Sequence, residues 1–135
     1  LMLDQPLVSV VINCFNGEKY LRQAIDSVIN QTYKNWELIF WDNQSKDDTA
    51  KIFKSYKNPK LKYFYSPEHT TLYKARNLAM KNCKGEFISF LDSDDWWVPE
   101  KLEKQIKLFD KQDVGLVYSN YYIYDEDSQK KKISF

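Results

Sequence analysis

Four times between Leu7 and Leu91, a short apolar run gives way to a polar break and then to a stretch of different periodicity. The runs are LVSVVINCF (7–15), ELIFW (37–41), LKYFY (61–65) and EFISFL (86–91). Continuous apolar runs of this length read as strands buried on both faces. After the first run, Leu21, Ala24, Ile25, Val28 and Ile29 recur as on one face of a helix. Ser45 with Asp48 three positions later reads as a capping box opening a second helix, with Ile52, Phe53 and Tyr56 inward. A third helix is expected over 71–83, with Ala75, Leu78 and Ala79 facing in and Gly85 stopping it. Pro99 fits the first turn of a fourth helix carrying Leu102, Ile106 and Phe109, and 114–124 reads as a long fifth strand. Strand–helix alternation of this kind predicts an α/β fold with a mostly parallel central sheet and helices on both faces. Ligands of such sheets sit outside the carboxyl ends of the strands.

Composition narrows the function classes. An apolar share of 43% over 135 residues excludes a disordered chain and allows one domain with a real core. A net charge of +1 carries no global bias toward nucleic acid, and none is expected as a partner. Cys14 and Cys83 match no metal or redox spacing, so a reduced, cytoplasmic protein is the simpler expectation. No run reaches the length of a membrane span. A start at Leu1-Met2 is not expected to be the natural one. The lysines Lys130 to Lys132 offer a peripheral membrane contact, but a solvated loop is the expected reading.

The polar breaks fall where a parallel sheet would bring them together. Asn13 to Asn16, Asp42 to Gln44, and Asp92, Asp94 and Asp95 each follow a strand, so three segments are expected to meet at one edge. Carboxylates as close as Asp92 and Asp94 repel unless a positive charge lies among them. A divalent cation, Mg²⁺ or Mn²⁺, held by these acids with substrate phosphates would resolve that repulsion. The competing reading places Asp95 and Glu100 at the N-terminus of the fourth helix, where the helix dipole favours acids. Other chemistries fit worse. A calcium loop counted from Asp92 would need glycine where Trp97 stands. Gly17, Gly85 and Gly115 supply neither a P-loop nor a dinucleotide fingerprint, nor the glycine-rich loop of a nucleotidyltransferase. The single histidine, His69, lies in no nucleophile-elbow pattern and reads as ordinary surface.

VSVVINCFNGEKYLRQAIDSVINQTYKNWELIFWDNQSKDDT (8–49) and ARNLAMKNCKGEFISFLDSDDWWVPEKLEKQ (75–105) together resemble the family 2 glycosyltransferases of GT-A fold, over roughly Pro6 to Asp125. The resemblance implies transfer of a sugar from a nucleotide-sugar donor, typically a UDP-sugar, to an acceptor hydroxyl, usually with inversion. Where the family has P-x-Y-N, this chain reads Asn13-Cys14-Phe15-Asn16, and Phe15 takes the place of the base-stacking aromatic. The family's D-D-G-S reads Asp42-Asn43-Gln44-Ser45, which keeps at Asp42 the acid implied to meet the base's ring N–H. Arg76 matches the basic residue that approaches the nucleotide. Asp92-Ser93-Asp94 matches the D-x-D motif, implying ribose and metal contacts with Asp94 and Asp92 as metal ligands. Core packing remains open for Phe15, as does pairing of Arg76 with Glu68 or another surface acid. Trp96 and Trp97 divide between packing and the sugar side in no assignable order. In the family the catalytic base lies well beyond the D-x-D, so it is expected past Phe135. Residues 1–135 are then expected to be one GT-A domain ending before the acceptor-binding segment. Bacterial polysaccharide or glycoconjugate synthesis, on a glycan or lipid-linked acceptor at the inner face of the membrane, follows by the same analogy. The alternative is a non-catalytic nucleotide-sugar or metal-binding module.

Overall fold

A computed structural model of the protein describes residues 5–111 and 113–134. The chain divides into two compact units, one ending at Glu103 and the other starting at Lys104. In the first, β1 (Val8–Cys14), β2 (Trp36–Asp42), β3 (Leu61–Tyr65) and β4 (Phe87–Phe90) form a parallel sheet in the order β3-β2-β1-β4. Helices α1 (Leu21–Ile29), α2 (Thr49–Lys54) and α3 (Leu72–Met80) connect the strands, and α4 (Lys101–Leu108) follows β4. Strand order reverses between β1 and β4, the switch at which such sheets open a crevice.

Both faces of the central strands β1 and β2 are covered, as their apolar runs require, whereas β4 leaves Ile88 and Phe90 exposed and β3 is only half-buried. Val11, Ile39 and Trp41 pack on one face against Ala75 and Ala79 of α3, with Phe64, Leu78 and Cys83 at the margin. The two alanines let the helix approach closely. On the opposite face Phe40 stacks on Phe53 of α2 at 4.4 Å between ring centroids, with Tyr63 at 5.9 Å. Helix α1 buries Leu21, Ala24, Ile25 and Val28, the residues its period selects. Just past its end, Gln31 is fully buried. Its amide donates to the Ser27 and Val98 carbonyls at 3.0 and 2.8 Å and accepts from the Leu102 N–H at 3.0 Å. That clamp fixes the stretch that follows the acidic segment.

Four local expectations need correction. Helix α2 starts at Thr49 with no side-chain cap from Asp48, so the capping box does not form, and Tyr56 lies beyond the helix. Ser45 is drawn away by a long-range contact: its hydroxyl accepts the Asn16 N–H at 2.9 Å. Helix α3 ends at Met80, and Gly85 does not stop it. Gly85 is needed because a Cβ there would stand 2.6 Å from the Ser9 backbone nitrogen. Pro99 precedes α4 instead of sitting in its first turn.

The second unit holds a two-stranded antiparallel sheet of β5 (Tyr121–Asp125) and β6 (Lys130–Ser134). The long strand expected over 114–124 is therefore only its last part, extended by one residue. The turn between β5 and β6 is closed by the Ser128 N–H on Asp125 Oδ1 at 2.9 Å. Lys130 to Lys132 belong to β6, not to a loop.

Candidate functional site

Because the strands are parallel, the carboxyl ends of β1, β2 and β4 lie on one edge, where the sequence places its polar breaks. The loops after β1 and β2 are laced together there. The Lys46 N–H donates to Asn16 Oδ1 at 2.8 Å, which answers the Asn16–Ser45 bond. The Gly17 N–H donates to Thr49 Oγ1 at 3.0 Å and the Glu18 N–H to Asp47 Oδ2 at 3.1 Å. Asn16 and Gln44 adopt left-handed backbone with φ of 52° and 67°, a conformation asparagine tolerates better than most residues. A Cβ on Gly17 would lie 2.4 Å from Cys14 Sγ and 3.2 Å from Ser93 Oγ, so β1, its loop and the acidic segment meet closely at this glycine.

Asp42, at the end of β2, has no solvent exposure. Its Oδ1 accepts the Ser45 N–H at 2.7 Å and its Oδ2 accepts the Tyr63 hydroxyl at 2.6 Å. Burial, reinforced by that bond to Asp42, pushes the Tyr63 phenol well above its ordinary range. Asp42 thus shapes the loop from beneath. Its neighbour Asn43 holds the loop after β3: its amide donates to the Thr70 carbonyl at 2.8 Å and accepts the Thr70 N–H at 3.0 Å. Phe15 is 48% exposed, which settles its open alternative against core packing. Asn13, one turn of the pleat earlier, has a buried side-chain nitrogen with no hydrogen-bond partner among the described residues.

The acidic segment follows directly from β4. Leu91 is buried and its N–H donates to the Val11 carbonyl at 3.0 Å, and the Asp95 N–H returns to the Asp92 carbonyl at 3.1 Å. The Arg76 guanidinium on α3 donates to Asp92 Oδ1 at 3.0 Å and lies 5.4 Å from the Phe90 ring centre. Glu68 pairs with Lys74 instead. Asp94 stands exposed. Burial, and then the charges of Asp94 and Asp92, raise the Asp95 carboxyl above its ordinary value, so the local field stays negative with Arg76 in place. Helix α4 begins six residues after Asp95, too far for its dipole to account for that residue. The dipole still suits Glu100. No group of three His, Cys, Asp or Glu side chains among the described residues is arranged to hold a metal alone. Two exposed carboxylates open to solvent nonetheless fit a hard cation that takes its remaining oxygens from phosphate and water.

The structure thus gathers Asn13, Phe15, Asn16, Asp42, Ser93 and Asp92 along one edge, with Arg76 tied to Asp92. Trp96 and Trp97 are both half-buried, and Lys101 Nζ lies 4.7 Å over the Trp97 ring. Tyr63, Thr49 and Thr70 were not singled out by sequence reasoning, and His69 was read as ordinary surface. All four act through contacts between segments distant in sequence, which local patterns do not carry.

The sequence matches the family model described as Glycosyl transferase family 2 over residues 9–135. It is 37% identical over 126 residues to the Escherichia coli UDP-Glc:alpha-D-GlcNAc-diphosphoundecaprenol beta-1,3-glucosyltransferase WfgD, covering 93% of this chain and 50% of that protein. The fold is similar to that of Staphylococcus aureus TarS 1-349 in complex with UDP, with TM-score 0.72 and 32% identity over 76% of this chain and 32% of that one. It also resembles the mannosyltransferase PcManGT from Pyrobaculum calidifontis in complex with GDP-Man and Mn2+, with TM-score 0.77 and 22% identity, covering 84% of this chain and 35% of that one. The last likeness is one of fold alone. These neighbours are GT-A transferases, the fold class expected from the sequence. The chain spans about half the length, or less, of the curated relatives it matches.

Proposed function

The chain belongs to glycosyl transferase family 2, and from that premise we propose that it is the donor-binding part of a transferase that moves a sugar from a UDP-sugar to an acceptor hydroxyl, with inversion. The single observation that carries this reading is the charge arrangement after β4. Asp92, Asp94 and Asp95 keep a negative field at the sheet's switch point, while Arg76 reaches the same spot from α3. A diphosphate with Mn²⁺ or Mg²⁺ complements both signs at once. WfgD is named for a UDP-glucose donor, TarS is seen with UDP, and PcManGT is seen with GDP-Man and Mn2+.

Asp94, with Asp92, would hold the cation, whose chemistry is that of a Lewis acid toward the leaving diphosphate. Phe15 offers its exposed face to the base, and Asp42 fixes the loop against which the base lies. Ser93 and Asn16 border the ribose side, and Asn13 has an unmet donor at the same edge. Arg76 exchanges part of its bond with Asp92 for diphosphate oxygens, a charge-assisted contact. No residue among those described is assigned the role of catalytic base, and we place it in the acceptor-binding part of the family's fold. The extent of the GT-A domain, a glycan or lipid-linked acceptor, bacterial polysaccharide synthesis and a site at the cytoplasmic face of the membrane belong to the same proposal. None of the described helices is long and apolar enough to cross a membrane.

Titration calorimetry with UDP, with and without Mn²⁺, tests the reading. UDP is expected to bind only with the metal, and Asp94→Ala is expected to weaken that binding by more than about tenfold. Metal-independent binding unaffected by Asp94→Ala would favour a binding module without transfer chemistry. No binding under either condition would end the proposal.

A further inference from the structure

Beside Phe15 stands a residue with no assigned role. The His69 ring lies 4.5 Å from the Phe15 ring, centroid to centroid, at an interplanar angle of 59°. His69 Nδ1 is 2.9 Å from the Asn43 main-chain oxygen. A carbonyl oxygen only accepts, so Nδ1 carries the proton in this contact and the ring is fixed in one orientation. Asn43 itself is 93% buried and grips the adjacent Thr70 by both ends of its amide. An aspartate at position 43 accepts but does not donate, and would leave the Thr70 carbonyl unbonded. The amide therefore closes a clamp that carries the loop after β3 up to the aromatic at the end of β1.

A half-exposed phenylalanine has soft torsions, and a stacking surface that turns freely costs entropy on binding. A tilted aromatic neighbour at contact distance removes that freedom. We infer that His69 is a positioning residue for the base of the nucleoside diphosphate: pinned to the Asn43 carbonyl, its ring backs Phe15 and fixes the plane on which the base stacks. This rests on the nucleotide-binding reading above. It assigns the base end a dependence on the loop after β3 that neither the D-x-D segment nor Asp42 supplies.

The test separates base from phosphate. The protein, His69→Ala, His69→Phe and Phe15→Ala are each titrated with UDP and with inorganic pyrophosphate in the presence of Mn²⁺. His69→Ala is expected to weaken UDP about five- to tenfold, part of what a stacked base contributes, and to leave pyrophosphate unchanged. Phe15→Ala is expected to weaken UDP at least as much. His69→Phe, which restores a flat ring beside Phe15, is expected to recover part of the loss. Unchanged UDP affinity in His69→Ala overturns the inference while the nucleotide reading stands. Equal weakening of both ligands also overturns it, since the effect would then not pass through the base. If the unsubstituted protein binds no UDP, the nucleotide reading fails first and this inference falls with it.

Discussion

Gly85→Ala is expected to destabilise the protein by about 3 kcal/mol, at the upper end of what overpacking costs. The added methyl would stand 2.6 Å from the Ser9 nitrogen, 2.7 Å from Ser9 Oγ and 2.8 Å from the Leu7 carbonyl oxygen. Two of those atoms are backbone of the strand beside it and the segment leading in, so no side chain can swing aside. Relief requires β4 to move off β1, at the cost of the bonds from the Gly85 N–H to Ser9 Oγ at 2.8 Å and from the Phe87 N–H to the Leu7 carbonyl at 3.3 Å. Urea denaturation checks the figure. A loss below about 1 kcal/mol would mean that the sheet edge is far more compliant than close packing allows. Because β4 carries the acidic segment at its other end, the same substitution is expected to weaken nucleotide binding as well.

Glu37→Ala is expected to cost about 3 kcal/mol, for a different reason: it strands buried donors. Glu37 is 4% exposed. Its Oε1 accepts from Ser9 Oγ and from the Lys84 N–H, each at 2.7 Å, and its Oε2 meets Lys62 Nζ at 2.5 Å. Glu37→Gln retains the two neutral bonds and loses only the ion pair, whose lysine is partly solvated, so it is expected to cost about 1 kcal/mol. Burial pushes the Glu37 carboxyl upward, but the bonds from Lys62, Ser9 and Lys84 outweigh it and hold the group below 4.5. A lowered carboxyl titrates first in the unfolded chain. Its contribution is therefore present above pH 4.5 and is lost as pH falls through the lower folded value. Denaturation curves at neutral and acid pH check this: the gap between Glu37→Ala and the unsubstituted protein is expected to narrow on acidification. A gap that widens or stays constant would contradict it. Glu37 and Gly85 share Ser9 as a partner, so their double substitution is expected to cost less than the sum.

Much of this fold was legible in the sequence because each strand–helix pair buries continuous apolar surface, and periodicity reports burial directly. Leu61 to Tyr65 form β3 at the bounds read from the sequence, and Leu21, Ala24, Ile25 and Val28 are the residues α1 buries. The errors came where a residue had a distant partner. Ser45 has the local chemistry of a helix cap, but the Asn16 N–H claims its hydroxyl and the Asp42 carboxylate claims its own N–H. Gly85 has the placement of a helix stop, but its role is to let one strand lie against another. In the second unit, Lys130 to Lys132 are exposed as expected but read as a loop because lysine is a poor strand former on its own. The pairing of Lys130 with Asp125, Lys131 with Tyr124 and Lys132 with Ile123 depends on the turn between them.

The same division runs through the candidate site. Its charged groups follow strands and could be placed on one edge by topology alone. That Arg76 pairs with Asp92 rather than Glu68 depends on where α3 lies over the sheet, which no spacing encodes. His69 gave no signal because its significance lies in two contacts, with Phe15 and Asn43, brought together from three loops.

The proposed function centres on a cation held by acids at the end of β4 against a donor's diphosphate. The most direct test is diffraction from crystals of the protein soaked in UDP and Mn²⁺, with the manganese located by its anomalous signal. A manganese peak bound by Asp94 is expected, with diphosphate oxygens completing its coordination and the uracil against Phe15. UDP bound with no manganese near Asp92 or Asp94, or those carboxylates turned to solvent beside an empty edge, would contradict it.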